Sequence, residues 1–204
     1  LTKGKPKEVL QSAWFWQSVA AEKVLVFSGN GAFCGNQASG AWANLLNLDY
    51  CGVPWNDFNG VGGDGSSHSL RSKSAMLRVV TFNQDNNRPV QGSEYRHTVD
   101  TMILMNQNKE GDSFKIATPE QTIIFGGVYN LSNATGLVRL PLVVAGTQAR
   151  LRYDERDSLL KHCAELKLIF PSLHEPACFG AHPKAETCRK SICALQENVP
   201  SHGC

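Results

Sequence analysis

Four of the chain's seven cysteines, Cys178, Cys188, Cys193 and Cys204, fall in its last 27 residues, a segment with too little apolar periodicity to fold alone. Such a tail needs cross-links. Structural disulfides persist in oxidising compartments and are rare in the cytosol, so the sequence points to a secreted, extracellular or cell-surface protein. The four tail cysteines allow three connectivities, and spacing does not choose among them. Cys34 and Cys51 bracket a Gly/Asn-rich loop and are the expected third pair. Seven is odd, so one cysteine is free or bonded to another molecule. Cys163 falls between Leu159 and Leu166 at helical spacing, on an apolar stripe with Phe170, and is the expected buried free thiol. The rival is a bond from Cys163 to the tail. Zinc is a second rival, through His182 and His202, but only Cys188 and Cys193 approach the close ligand spacing zinc sites use.

At 204 residues the chain can bury one core, which fits a single domain over 1–204 with a stapled tail from about 171. Charged residues make up 19% and the formal net charge is +2, so the field that nucleic-acid binders use is missing. The longest apolar stretches, such as 138–145, which contains Arg139 and Pro141, fall far short of the roughly 18–20 residues of a membrane helix. Neither nucleic acid nor a membrane span is expected. The first residue is Leu1 rather than Met, which suggests removal of a signal or anchor segment. Two sequons, at Asn130 and Asn133, would be glycosylated in a secreted eukaryotic protein if exposed.

Along the chain, Val9, Ala13, Trp16 and Ala20 recur at helical spacing and predict a helix from Glu8. Lys23 to Phe27 predicts a strand. Residues 29–67 hold nine of the eighteen glycines among many Asn and Ser, with one helical turn expected at Ala41 to Leu46. Long irregular regions of this kind are functional surfaces or need a staple. Met76 to Phe82, Thr98 to Met105, Phe114 to Ala117, Gln121 to Val128, Leu137 to Val144 and Gln148 to Tyr153 read as strands separated by turn residues. Glu155 to about Phe170 reads as a second helix, with Asp154 as N-cap and Pro171 as stop.

No motif names a reaction. Ser28-Gly29-Asn30-Gly31 lacks the Lys-Ser/Thr of a phosphate loop and has no βαβ context. Asp57-Phe58-Asn59-Gly60 opens like a calcium loop, but the twelfth position is His68 rather than a bidentate Glu. No cofactor is expected: Asp57, Asn59 and Asp64 fit Asx-rich turns better, with an irregular calcium site as the alternative. Asp64, the serines near it, His68 and His97 hold the residue types of a hydrolase, without a Gly-x-Ser-x-Gly elbow. On the expected strand, His97 and Asp100 would point to opposite faces.

Trp42, Tyr50 and Trp55 lie in the Gly/Asn-rich region beside Asp57, Asn59 and Asp64. Flat apolar faces flanked by directional hydrogen-bonding groups are what carbohydrate and protein recognition uses. The expected fold is therefore α+β: an N-terminal helix packed on an antiparallel sheet, a second helix near 155–170 and a disulfide-rich C-terminal segment. That element order is similar in plan to the globular part of type IV pilin-like subunits. The expected function is a secreted or surface-exposed, non-enzymatic interaction protein, for adhesion, ligand binding or an extracellular assembly. Its partner would be a protein or carbohydrate surface. A secreted hydrolase using Asp64, His68 and His97 is the alternative.

Overall fold

The run Lys23-Val24-Leu25-Val26-Phe27 is extended, as its β-branched and aromatic residues predict. The structure is a computed structural model and describes residues 6–27, 31–34, 41–54, 61–63, 68–89, 93–127, 142–145, 160–161 and 163–166. The chain divides into two compact units, Leu1–Gly146 and Thr147–Cys204. In the first unit the order is α1 (Pro6–Leu10), α2 (Ala13–Ser18), β1 (Lys23–Phe27), β2 (Gly31–Phe33), α3 (Ala41–Leu46), β3 (Tyr50–Gly52), β4 (His68–Ser72), α4 (Lys73–Asp85), α5 (Glu94–Gln107), α6 (Pro119–Phe125), β5 (Gly126–Gly127) and β6 (Val143–Ala145). The architecture is α+β.

Among the described residues two three-stranded sheets form. The first has the order β1-β4-β3 and is antiparallel throughout, with Val24 and Tyr50 both opposite Arg71, and Leu25 and Cys51 both opposite Leu70. The second has the order β2-β6-β5, antiparallel between β2 and β6 and parallel between β6 and β5. Side chains alternate across a strand, so the first sheet has two distinct faces. Val24, Val26 and Tyr50 join a core with Trp16, Met76, Val79, Met102 and other residues of α2, α4 and α5. Leu25, Cys51 and Leu70 join a second core with Leu45, Val53, Phe125, Leu142 and Val143. Both faces are covered, and all five residues of β4 are buried.

Three segments expected as strands are helices. In Met76 to Phe82 the buried positions are Met76, Val79 and Val80, with Ala75 and Asn83 extending the stripe at helical spacing. In Thr98 to Met105 the buried set is Glu94, His97, Thr98, Thr101, Met102 and Met105, again helical, but its polar members hide the stripe. Gln121 to Phe125 belongs to α6, which opens with a capping box: Thr118 Oγ1 accepts from the Gln121 amide at 3.3 Å and the Gln121 side chain accepts from the Thr118 amide at 2.9 Å. Phe114 to Ala117 forms no strand, only an isolated parallel bridge from Ile116 to Tyr50. The sheet of six or seven strands is thus replaced, among the described residues, by two small sheets wrapped by helices, and the pilin-like plan goes with it.

The N-terminal helix is interrupted. Ser12 adopts an extended conformation and caps α2, accepting from the Phe15 amide at 3.3 Å, while the Trp16 indole donates to the Leu10 carbonyl at 2.7 Å. Trp16 is buried and Trp14 exposed. Glu22 caps α4 from a distance: its carboxylate accepts from the Ser74 amide at 3.3 Å and from the hydroxyls of Ser72 and Ser74. In the second unit Leu160 and Lys161 are helical and Cys163 and Leu166 are buried. The rest of the helix expected over 155–170, the strand at Gln148 to Tyr153 and both sequons lie outside the described residues, as do Cys178, Cys188, Cys193 and Cys204.

The expected cysteine pairing needs correction. Cys51 is a free thiol, fully buried on β3 against Leu70, and so is not the partner of Cys34. Cys34 and Cys163 are each disulfide-bonded, so Cys163 is buried, as its stripe predicts, but not free. Burial pushes the Cys51 thiol up to about 12, which keeps it protonated and unreactive. Iodoacetamide at pH 8 should leave Cys51 unmodified in the folded protein and label it fully in guanidinium. Rapid labelling of Cys51 in the native state, read by peptide mass, would contradict this placement.

Candidate functional site

His68 opens β4 opposite Phe27, the last residue of β1. At this end of the first sheet the backbone is crowded with glycine. A side chain on Gly31 would overlap the His68 ring, and one on Gly63 would meet the Gly52 carbonyl. Gly62 and Gly63 have φ of 83° and 68°, a region only glycine enters at low cost. Gly62 accepts from the Gly52 amide and donates to the Ala117 carbonyl, both at 2.7 Å.

Over His68 lies a row of aromatic rings. Phe33 stands edge-on to His68 at 5.6 Å and to Phe27 at 6.1 Å; Trp42 follows at 6.3 Å from Phe33 and closes on Phe125 at 6.2 Å. Phe33 and Trp42 are half-buried, and Phe27 is 65% exposed. The row therefore runs from the second core to solvent. His68 itself is fully buried, and among the described residues neither ring nitrogen has a hydrogen-bond partner. Burial lowers its pKa to about 4, so the ring is neutral at physiological pH and carries one donor and one acceptor. An unpaired buried polar group costs about 1–3 kcal/mol, so His68 is a site of unmet hydrogen-bonding capacity.

A second polar group lies on the opposite face. Arg71 is 1% exposed and Glu94 6%, and they form a two-pronged ion pair at 2.5 and 2.9 Å. Arg71 Nε also donates to Ser69 at 2.8 Å, and its guanidinium lies 5.3 Å from the centre of the Tyr50 ring. Glu94 accepts from Gln11 at 3.2 Å and Thr98 at 3.1 Å. Burial alone would raise the Glu94 pKa, but the Arg71 charge and the hydrogen bonds from Arg71, Thr98 and Gln11 outweigh it and hold the carboxyl below its ordinary value. With partners on every side, this cluster ties α5 and the segment before α2 to β4.

Of the residues expected to bind, Trp42 takes its place in the aromatic row. Tyr50 does not: it is fully buried beneath Arg71, so it is a core residue and is removed from the binding set. Trp55, Asp57, Asn59 and Asp64 lie outside the described residues. Among the described residues no group of three or more His, Cys, Asp or Glu could hold a metal ion. His97 and Asp100 are on α5 rather than a strand. His97 is buried one turn after Glu94, over the Arg71 face, whereas His68 is on the other. Among the described residues nothing brings the two imidazoles together: Glu94, one turn before His97, pairs with Arg71, which lies on the face of β4 opposite His68. Phe27, Phe33, Arg71 and Glu94 are the residues that sequence reasoning misses. The alternation in His68-Ser69-Leu70-Arg71 is the one signal that splits His68 from Arg71.

No helix among the described residues is long and apolar enough to cross a membrane. The family described as a protein of unknown function, DUF5672, matches residues 3–141. No curated protein matches the chain, and no solved structure does.

Proposed function

The chain belongs to the DUF5672 family, and from the geometry at the His68 end of the first sheet we propose that it is a secreted or surface-exposed, non-enzymatic binding protein for a carbohydrate-like ligand. The observation that carries this is the half-buried row Phe33–Trp42, which runs out to the exposed Phe27. Aromatic faces take the apolar face of a sugar ring, and the buried His68 ring packs edge-on against Phe33 and so helps seat it. Disulfide bonding at Cys34 and Cys163 supports an oxidising compartment. The hydrolase alternative gains no support, because nothing among the described residues brings His68 and His97 together.

Binding to an array of immobilised glycans, set against immobilised proteins, tests the reading. Trp42→Ala should weaken glycan capture roughly tenfold, the loss expected of about 1.4 kcal/mol from one ring. Because Trp42 also touches Phe125, the variant should lose about 1–3 kcal/mol of stability and still fold. Capture of proteins but no glycans, or glycan capture unchanged in a folded Trp42→Ala variant, would count against the proposal.

A further inference from the structure

The two edges of the first sheet are finished differently. Along β3 the outer edge is closed: Tyr50 C=O accepts from the Ala117 amide at 2.9 Å and the Gly52 amide donates to Gly62 at 2.7 Å. Along β1 no such partner is present among the described residues. Every residue of β3 is buried, whereas Lys23 to Val26 are only half-buried and Phe27 is exposed.

The hydrogen bonds fix which β1 groups face outward. On β4, the Ser72 amide donates to Asp49 at 2.9 Å and the His68 carbonyl accepts from Val53 at 3.1 Å, both toward β3. The Lys73 amide donates to the Glu22 carbonyl at 2.7 Å, toward β1. Backbone groups alternate along a strand, so Glu22, Val24 and Val26 turn toward β4 and Lys23, Leu25 and Phe27 turn away. The outward amides and carbonyls of those three residues meet no partner among the described residues. The edge also lacks the usual protections of proline, bulge or inward charge; Lys23 at its start is the lone basic residue.

We propose that a second copy of this chain completes this edge, with β1 pairing antiparallel to β1 of the partner about a two-fold axis at Leu25. The register follows from the chemistry. Centred on Leu25, the outward groups of Leu25 face those of the partner's Leu25, and those of Lys23 face those of the partner's Phe27, so every outward N–H and C=O is satisfied. Leu25 then lies beside its own counterpart on one face of the sheet and Val24 beside the partner's Val26 on the other. Phe27 then stands opposite the partner's Lys23, whose side chain runs back over its own sheet to donate to the Leu48 carbonyl at 2.6 Å. No like charges stand opposite each other. Two three-stranded sheets become one of six strands. So short an edge buries less than a standard interface, and dissociation on the order of micromolar is expected.

Sedimentation velocity of the full chain from about 1 to 100 µM tests this, at concentrations chosen around that micromolar estimate. The expected result is a concentration-dependent monomer–dimer equilibrium. Leu25→Pro removes an outward amide without touching the ladder to β4 and should raise the dissociation constant at least about tenfold. Hydrogen exchange on the native chain gives an arm free of any folding defect: the amides of Lys23, Leu25 and Phe27 should gain protection with concentration, while Val24 and Val26 are protected throughout. A monomer at the highest concentration, or outward amides that exchange fast at every concentration, would overturn the proposal. So would undiminished association of a folded Leu25→Pro variant. Trp42→Ala should leave the dimer intact, so failure of this inference is distinct from failure of the binding reading.

Discussion

Glu94→Ala should cost about 3–5 kcal/mol of stability, among the largest losses any single substitution in this chain would produce. The reason lies in what remains. Arg71 stays fully charged and buried in the middle of β4, with Ser69 and the Tyr50 ring near it but no anion. Gln11 and Thr98 lose an acceptor at the same time. The pair is not expected to be a large net source of stability, since taking two charges out of water offsets most of their attraction. Arg71→Met with Glu94→Leu should therefore fall within about 2 kcal/mol of the native protein, far better than either single change. Urea denaturation of the two single variants and the double variant measures the coupling directly. Additive losses would mean that the pair acts as two independent groups. The folded-state pKa of Glu94 is depressed, so its contribution is present above the ordinary carboxylate value near 4.5 and is lost as pH falls below it.

The same residues show why part of this fold is legible in the sequence and part is not. Lys23 to Phe27 is a strand in sequence and in structure because its β-branched and aromatic residues have no competing helical stripe. The turn at Ala41 to Leu46 is likewise helical as expected. In α4 and α5 the local signals conflict. Val79, Val80 and Thr81 favour strands by propensity, yet the buried positions recur at helical spacing. On α5 the buried face carries Glu94, His97, Thr98 and Thr101, so the stripe becomes visible only once Arg71 and Gln11 are known to meet Glu94 and Thr98, and Asn83 to meet Thr101. Thr118-Pro119-Glu120-Gln121 is a capping box with proline at the first helical position, a written signal that outranks the β-propensity of Ile123 and Ile124. The site is legible only at Trp42. Tyr50 looks like a loop aromatic because nothing local reveals that Arg71 lies over it. Phe33 gains its role only from β2 pairing with β6, more than a hundred residues away.

His68 should make this protein lose stability between pH 6.5 and about 4. The ring is buried without a hydrogen-bond partner, and burial lowers its pKa from 6.5 to about 4. The unfolded chain takes up a proton as pH falls through 6.5, while the folded chain stays neutral until about 4. Stability is therefore complete above 6.5, declines between the two values and is flat below the lower one for this group. A shift of this size, discounted for partial screening by solvent, corresponds to about 2 kcal/mol. His97 is also held below its ordinary value, first by burial and then by the Arg88 charge, so it adds to the same slope without being its source at the binding end. Urea midpoints at pH 7.5, 6.5, 5.5 and 4.5, chosen around the interval from 6.5 toward about 4, should be highest at the first and fall across the last three for the native chain, and less steeply for His68→Gln. The imidazole proton resonances should titrate near 4 in the folded protein. A midpoint near 6.5 would mean that water or a neighbouring group reaches the ring. His68 would then be an ordinary solvated histidine rather than a buried ring beneath Phe33.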